Sequence, residues 1–376
     1  MAVIYLVIPA VLAAIYHLLA LVAALARAGR GSPKYAEQEK LSDTPGVSIL
    51  KPVHGRDPHF YEAIRSQADL DYPEYEILFG LNNPQDPALE DLNRLAAEFP
   101  ERKIRVILCP RRMPNGKVGV LAVLEREARY SVLVVNDSDI AVERDYLRRV
   151  TSALAEPAVG LVTCLYRAMG DTWPARWEAL GIATDFAPSL LVARMIGVAE
   201  FALGSTMALR AADLAKIGGF ETIGEYLADD YQLGRRISSR GDRIAVAGTV
   251  VATWLSAKSW RDVWRHQVRW SRTIRCSRAA GYYGYVITNA TVWALVALCA
   301  KAWPVAVAAL TVRLLAGIAT AGLVLHDPSA ARLWFLIPFR DLVGFAIWVA
   351  GLGGSTVEWR GEKIRLTKDG RIVERG

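Results

Sequence analysis

The sequence predicts an α/β region with a mostly parallel sheet, covered by helices on both faces and set between apolar segments at the two ends of the chain. Three observations predict it. Between Val47 and Tyr166, short runs of aliphatic and β-branched residues alternate with helix-length segments, the pattern of repeated strand and helix units. Hydrophobic residues make up 53% of the 376 positions, high for a soluble domain, and the excess lies at the termini. One run, Ser131 to Ile140 (SVLVVNDSDI), passes from a buried-strand pattern into Asn136, Asp137, Ser138 and Asp139. That puts carboxylates at the carboxyl end of a parallel strand, where open α/β sheets bind ligands.

Taken in order, residues 1–27 read as a membrane anchor. From Val3 to Ala26 only His17 interrupts the apolar run, and at ~1.5 Å per residue this is long enough for a ~30 Å hydrocarbon core. Ala24-Leu25-Ala26 resembles a signal cleavage site, but no Lys or Arg precedes the run, and Arg27, Arg30 and Lys34 follow it. This asymmetry predicts a retained anchor with the next region cytoplasmic. Residues 28–45 are polar and serve as a linker. The region 46–258 then offers strands at Val47–Lys51, Tyr75–Leu81, Ile104–Leu108, Ser131–Val135 and Val159–Tyr166. Helices fall at Phe60–Ala68, Pro87–Glu98 and Val118–Ala128. None of these strands leads into G-x-G-x-x-G or a P-loop, so a nucleotide bound here would be held by side chains at strand ends and a metal.

The stretch Ala179 to Gly204 is apolar but broken by Asp185, Pro188, Arg194 and Glu200. A charge near the bilayer centre costs about 2.5–3.5 kcal/mol on insertion scales, so this is an interfacial or an internal helix and not a clean span. At Gly218 to Arg236 a Gly-Gly turn leads to Asp229 and Asp230, opening a helix that carries Arg235 and Arg236. Acids in the first turn and bases in the last satisfy the helix dipole; one of the acids could equally serve as a general base. Residues 259–280 form an amphipathic helix with Trp260, Trp264 and Trp270 beside Arg261, Arg265, Arg269, Arg272 and Arg275, suited to a membrane surface.

Residues 281–355 hold three apolar stretches, Tyr282–Ala300, Val305–Leu325 and Phe335–Leu352, with Arg313, Arg340 and Asp341 inside them. Charges in spans face the interior of a bundle and have partners. One span before the sheet region and three after it would leave residues 356–376 outside the cytoplasm, yet this tail is basic like an inside tail. A re-entrant or interfacial segment among the four would reconcile the two. The net charge is +7, with basic residues beside apolar spans and no tract interleaved with aromatics, which points to an anionic membrane and away from nucleic acid. Cys109, Cys164, Cys276 and Cys299 show no C-x-x-C spacing, against a disulfide framework or zinc site.

From Val47 to Arg275 the chain resembles the ceramide glucosyltransferases, glycosyltransferase family 21, of GT-A type. The motifs are Lys51-Pro52-x-x-Gly55-x-Asp57-Pro58, Leu70-Asp71-Tyr72-Pro73, Asp86-Pro87, Asp137-Ser138-Asp139, Gly204-Ser205-Thr206-Met207, Asp229-Asp230-Tyr231 and Arg269-Trp270. The resemblance implies a UDP-sugar donor, Mg²⁺ or Mn²⁺, and a lipid acceptor drawn from the bilayer, in an integral protein of a bacterial-type inner membrane with a cytoplasmic catalytic region. It implies that Asp137 and Asp139 hold the metal, and that Lys51, Asn83, Asp86, Lys117, Asp137 and Asp229 meet the nucleotide. It places Asp230, His266, Arg269 and Trp270 in catalysis. Two positions depart from the pattern: Asn83 stands where an Asp is expected, and His266 where the last motif has Gln or Arg. Bacterial relatives in hopanoid-lipid glycosylation share a similar His-x-x-Arg-Trp phrase, so N-acetylglucosamine transfer to a hopanoid polyol stands beside glucose transfer to a ceramide-like lipid.

These residues suit single-displacement transfer. A cation and Lys117 or Arg269 would neutralise the diphosphate, Asp230 would take the acceptor proton, and Trp270 would exclude water. With no second nucleophilic carboxylate, the reaction inverts the anomeric centre. His54 and His59 flank Asp57 and read as structural. A processive polysaccharide synthase shares the acidic motifs but needs more spans than about four for a polymer channel; a non-catalytic scaffold would not need Asp137, Asp139, Asp230 and Arg269 together.

Overall fold

A computed structural model describes residues 2–29, 44–110, 113–359 and 362–375. Arg30, Lys34, residues 31–43 of the linker, Arg360 and Gly361 lie outside the described residues. The chain divides into two compact units, one of Ser32–Tyr166 with Ala199–Ser256, the other of Met1–Gly31, Arg167–Val198 and Ala257–Gly376.

The first unit is built on a seven-stranded sheet. Its strands are β1 (Val47–Val53), β2 (Tyr75–Leu81), β3 (Lys103–Leu108), β4 (Val132–Val135), β5 (Val159–Met169), β6 (Met207–Arg210) and β7 (Arg243–Trp254). Their order is β3-β2-β1-β4-β6-β5-β7. The first four are mutually parallel, while β6 runs antiparallel to β4 and to β5. Every residue of β1, β2 and β4 is buried, as expected for strands covered on both faces. Alternation sorts the side chains. Ile49, Ile77 and Val134 face one core with helices Phe60–Ala68, Ala88–Glu98 and Tyr146–Leu154. Leu50, Leu78 and Leu133 face the other, with helices Gly116–Glu127, Ala211–Lys216 and Asp229–Ser238. The α/β, mostly parallel fold predicted from the sequence is the fold observed.

The second unit gathers the apolar helices. Among the described residues, three single helices are long and apolar enough to cross a membrane: Ile4–Gly29, Trp303–Val324 and Trp334–Leu352. The further apolar stretch is a bent pair, Ala279–Thr288 and Ala290–Cys299, at 52°, which passes the same test when its two helices are taken together as a broken span or a re-entrant loop. Asn289 stands at the break, its side-chain amide bonded back to the Val286 carbonyl at 3.2 Å. Helix Trp173–Gly181 continues through a π-helical turn, Ile182–Phe186, into Ala187–Met195. That turn carries Asp185, which pairs with Arg313 and, at 3.1 Å, with Arg340, so the charge that breaks the apolar pattern is turned inward. The basic tail is a folded element: β8 (Thr356–Trp359), β9 (Glu362–Leu366) and β10 (Ile372–Arg375) form an antiparallel sheet.

Candidate active site

The site is assembled at the carboxyl end of β4. Asn136, fully buried, donates to the Tyr146 hydroxyl (3.0 Å), the Ser205 carbonyl (2.7 Å) and the Thr206 hydroxyl (3.2 Å). This pins the segment Gly204–Thr206 beside the strand end. Asp137 follows, its amide donating to the Gly204 carbonyl at 3.3 Å. The Gly204 amide donates in turn to Asp230 Oδ2 at 3.1 Å. A Cβ on Gly204 would sit 2.9 Å from Asp137 Oδ2, so a larger residue there must displace that carboxylate.

Lys117 closes the group. Asn115 caps helix Gly116–Glu127 by accepting from the Lys117 and Val118 amides, and its own side-chain amide donates to the Tyr226 carbonyl at 2.8 Å. One residue thus fixes the helix start and holds the loop that leads to Asp229. From the first turn of that helix, Lys117 Nζ reaches Asp137 Oδ1 at 2.8 Å and Asp229 Oδ2 at 3.0 Å. Burial disfavours the ammonium, but Asp137 and Asp229 hold its pKa well above the ordinary lysine value. Lys51, fully buried at the end of β1, donates to the Asp137 carbonyl at 3.1 Å. Burial lowers its pKa to about 8.

Burial raises Asp139 to about 6, with Asp137 and Asp57 adding repulsion, and Thr253 donates to its carboxylate. Asp230 is likewise raised to about 6, by burial and then by Asp229, against the pull of Lys117. Five carboxylates (Asp57, Asp137, Asp139, Asp229, Asp230) therefore share their field with two lysines. Such an excess of negative charge suits a divalent cation. Among the described residues no three His, Cys, Asp or Glu side chains gather as a ready cage. A Mg²⁺-type ion nevertheless needs only one or two carboxylates plus substrate phosphates, so Asp137 and Asp139 fit that role.

The other sequence candidates have varied surroundings. Asp86 accepts from the Gly55 amide with both oxygens (3.1 and 2.9 Å) and from the Ala88 amide, which ties the loop after β1 to the turn after β2. Asn83 is exposed and accepts from the Gln85 amide at 2.9 Å. Its neighbour Asn82 holds a buried side-chain oxygen without a hydrogen-bond partner among the described residues. Position 82 was missed because the family pattern draws attention to position 83.

His266, Arg269 and Trp270 lie in the second unit, on helix Trp260–Ser277. His266 Nδ1 bonds to Glu178, a buried carboxylate, and its ring meets the edge of Trp270 with centroids 5.1 Å apart. Trp270 in turn contacts Phe186. The sequence gives no separate sign of Glu178, since a single acid in a helix is usually solvated. Thr253 is equally silent, a threonine within a strand. His59 stacks on Trp254 at 5.0 Å, a packing role as expected.

A family model described as Glycosyl transferase family 21 matches residues 5–372. Ceramide glucosyltransferase 1 of Caenorhabditis elegans is 30% identical over 206 residues, covering 54% of this chain and 44% of that protein. A probable glycosyltransferase of Bacillus subtilis is 24% identical over 267 residues, covering 65% and 58%. The chain thus spans about half the length of the curated relatives it matches. Among solved structures, the mannosyltransferase PcManGT from Pyrobaculum calidifontis, in complex with GDP-Man and Mn²⁺, aligns at TM-score 0.49 and 20% identity, covering 92% of this chain and 99% of that one.

Proposed function

The chain belongs to glycosyltransferase family 21, and on that premise we propose that it moves a hexose from a UDP-sugar to a hydroxyl of a membrane lipid, with inversion at the anomeric carbon. UDP-glucose and a ceramide-like acceptor are the favoured pair. The observation that carries this reading is the convergence of Lys117, Asp137, Asp229 and Asp230 around Gly204, at the carboxyl end of β4.

Asp137 and Asp139 would hold Mg²⁺ or Mn²⁺, which when bound neutralises charge on a departing diphosphate. Lys117 and Lys51 supply further positive charge from fixed places. The unpartnered Asn82 oxygen suits the N3–H of a uracil, a donor that needs an acceptor. Asp230, raised to about 6, is ionised at neutral pH yet close enough in basicity to accept a proton efficiently. The acceptor oxygen loses its proton to that carboxylate as it bonds to the anomeric carbon. The carbon–oxygen bond to the diphosphate breaks and its electron pair leaves with UDP. One displacement gives a β-linked product from an α-linked donor. The resemblance assigns His266, Arg269 and Trp270 to the same reaction. The apolar helices favour an integral membrane protein, with the sheet unit on the cytoplasmic side of a bacterial-type inner membrane.

The test incubates the purified full chain with UDP-glucose or UDP-N-acetylglucosamine and with ceramide, a hopanoid polyol or diacylglycerol, reading products by mass and their anomeric configuration by proton NMR. Transfer of a single hexose with a β linkage is expected, abolished in Asp139→Ala. A product that keeps the α configuration, or no lipid product with any pair, overturns the proposal. The His266-x-x-Arg269-Trp270 phrase favours one second reading, N-acetylglucosamine transfer to the polyol, which the same panel separates.

A further inference from the structure

We propose that Lys117 is a built-in counter-ion which holds Asp137, one of the two carboxylates assigned to the cation, until a diphosphate draws it away, so that divalent metal and donor bind cooperatively. The inference rests on the transferase reading above and deepens it. Lys117 Nζ lies within ion-pair distance of both Asp137 and Asp229, at 2.8 and 3.0 Å, and its side chain is only 16% exposed. Lys51 cannot play this part: it is fully buried and donates to the backbone carbonyl of Asp137, leaving the carboxylate alone.

The Asp137 side chain is 43% exposed, so it is open to a cation. Lys117 takes Oδ1, and a Cβ on Gly204 would lie 2.9 Å from Oδ2. A divalent cation on this carboxylate would lie close to the lysine ammonium, and like charges at that separation repel. Metal binding therefore favours the departure of Lys117 from Asp137. Leaving strips a buried ammonium of both its ion-pair partners, which is costly unless another anion receives it. The diphosphate of the donor is such an anion, and a lysine in the first turn of a capped helix is well placed for phosphate. Cation and diphosphate would thus each make room for the other. By linkage, each raises the other's affinity by the same factor.

The test measures Mn²⁺ binding by electron paramagnetic resonance on the purified full chain, with and without UDP and with no acceptor present. Wild type should bind Mn²⁺ weakly alone and about tenfold or more tightly with saturating UDP. Lys117→Met should bind Mn²⁺ alone about tenfold or more tightly than wild type and lose most of the enhancement by UDP. Lys117→Arg, which keeps the charge, should stay close to wild type and shows that the helix start tolerates substitution. Unchanged or weaker Mn²⁺ affinity in Lys117→Met overturns the inference. If that occurs while wild type still transfers hexose to lipid, the transferase reading survives; if wild type binds no Mn²⁺ and transfers nothing, both fall.

Discussion

At the scale of single residues, Gly204 stands between the acidic groups of the candidate site. Its amide holds Asp230, its carbonyl accepts from Asp137, and its missing side chain leaves room for the Asp137 carboxylate. In Gly204→Ala the new methyl must displace that carboxylate and loosen its ion pair with Lys117. Misplacing a reacting group by about 1 Å can cost ~10²-fold in rate, and a loss of that order is expected here while thermal unfolding stays close to wild type. Steady-state transfer assays and a melting curve check both halves. Asn136 predicts the opposite balance. Its amide serves three acceptors in the core, so Asn136→Ala should lower stability by about 1–3 kcal/mol, read from denaturant unfolding. The acids were legible in the sequence because Asp137 and Asp139 follow a strand pattern and Asp229 and Asp230 open a helix pattern. Their lysine was legible only as a basic residue before a helix. That its ammonium bridges Asp137 and Asp229 depends on how β4 and two loops distant in sequence fold together, and no local pattern encodes that.

At the scale of elements, helix Trp260–Ser277 shows what periodicity reveals and what it hides. Its start is written in the sequence: Ser259 and Asp262 form a capping box, and the spacing of indoles and arginines predicts an amphipathic face. Trp260 and Trp264 are exposed as such a face requires. The inner face holds what was not legible, the bond from His266 to buried Glu178 on helix Trp173–Gly181. Glu178→Ala should lower stability by about 1–3 kcal/mol, because it removes the acceptor that holds the imidazole. Glu178→Leu should recover part of that loss if the bond serves only to join the helices, since apolar contacts replace buried polar pairs well. Melting curves of the two variants, measured beside transfer activity, separate a structural bond from one the reaction needs. The C-terminal sheet was missed for a different reason. Alternating EKIRL and RIVER flank a Lys-Asp-Gly turn, with Gly370 at φ +84°, a hairpin signal hidden under the positive charge of the tail.

At the scale of the whole molecule, each unit is closed by segments far apart in the chain, and in the helical unit charge joins them. Arg313, on helix Trp303–Ala319, donates to Asp341 at 2.7 Å, to the Thr184 carbonyl at 2.9 Å and to Asp185. Asp341 also accepts from the Thr291 amide and hydroxyl, at 3.2 and 2.8 Å. Arg340 completes the set on Asp185, and Gly181 makes room for its guanidinium, which a Cβ would meet at 2.3 Å. Two arginines and two aspartates balance, and Arg313 and Asp341 are almost wholly buried. The sequence announced partners for these charges, since isolated ones inside apolar stretches are too costly to leave unpaired; which residues pair depends on the π-helical turn that carries Asp185. The balance gives a prediction with a sign. Asp341→Ala leaves two arginines facing one aspartate, and should destabilise the unit by about 3–5 kcal/mol, as breaking a buried pair does. The double variant Arg313→Met with Asp341→Leu removes one charge of each sign and leaves Arg340 with Asp185. It should regain most of that loss, because apolar groups of similar volume replace a buried ion pair at little cost. Thermal unfolding in detergent, followed by tryptophan fluorescence, compares the two; a double variant as unstable as the single one would mean that the hydrogen bonds of Asp341 to Thr291, and not the charge balance, hold these helices together.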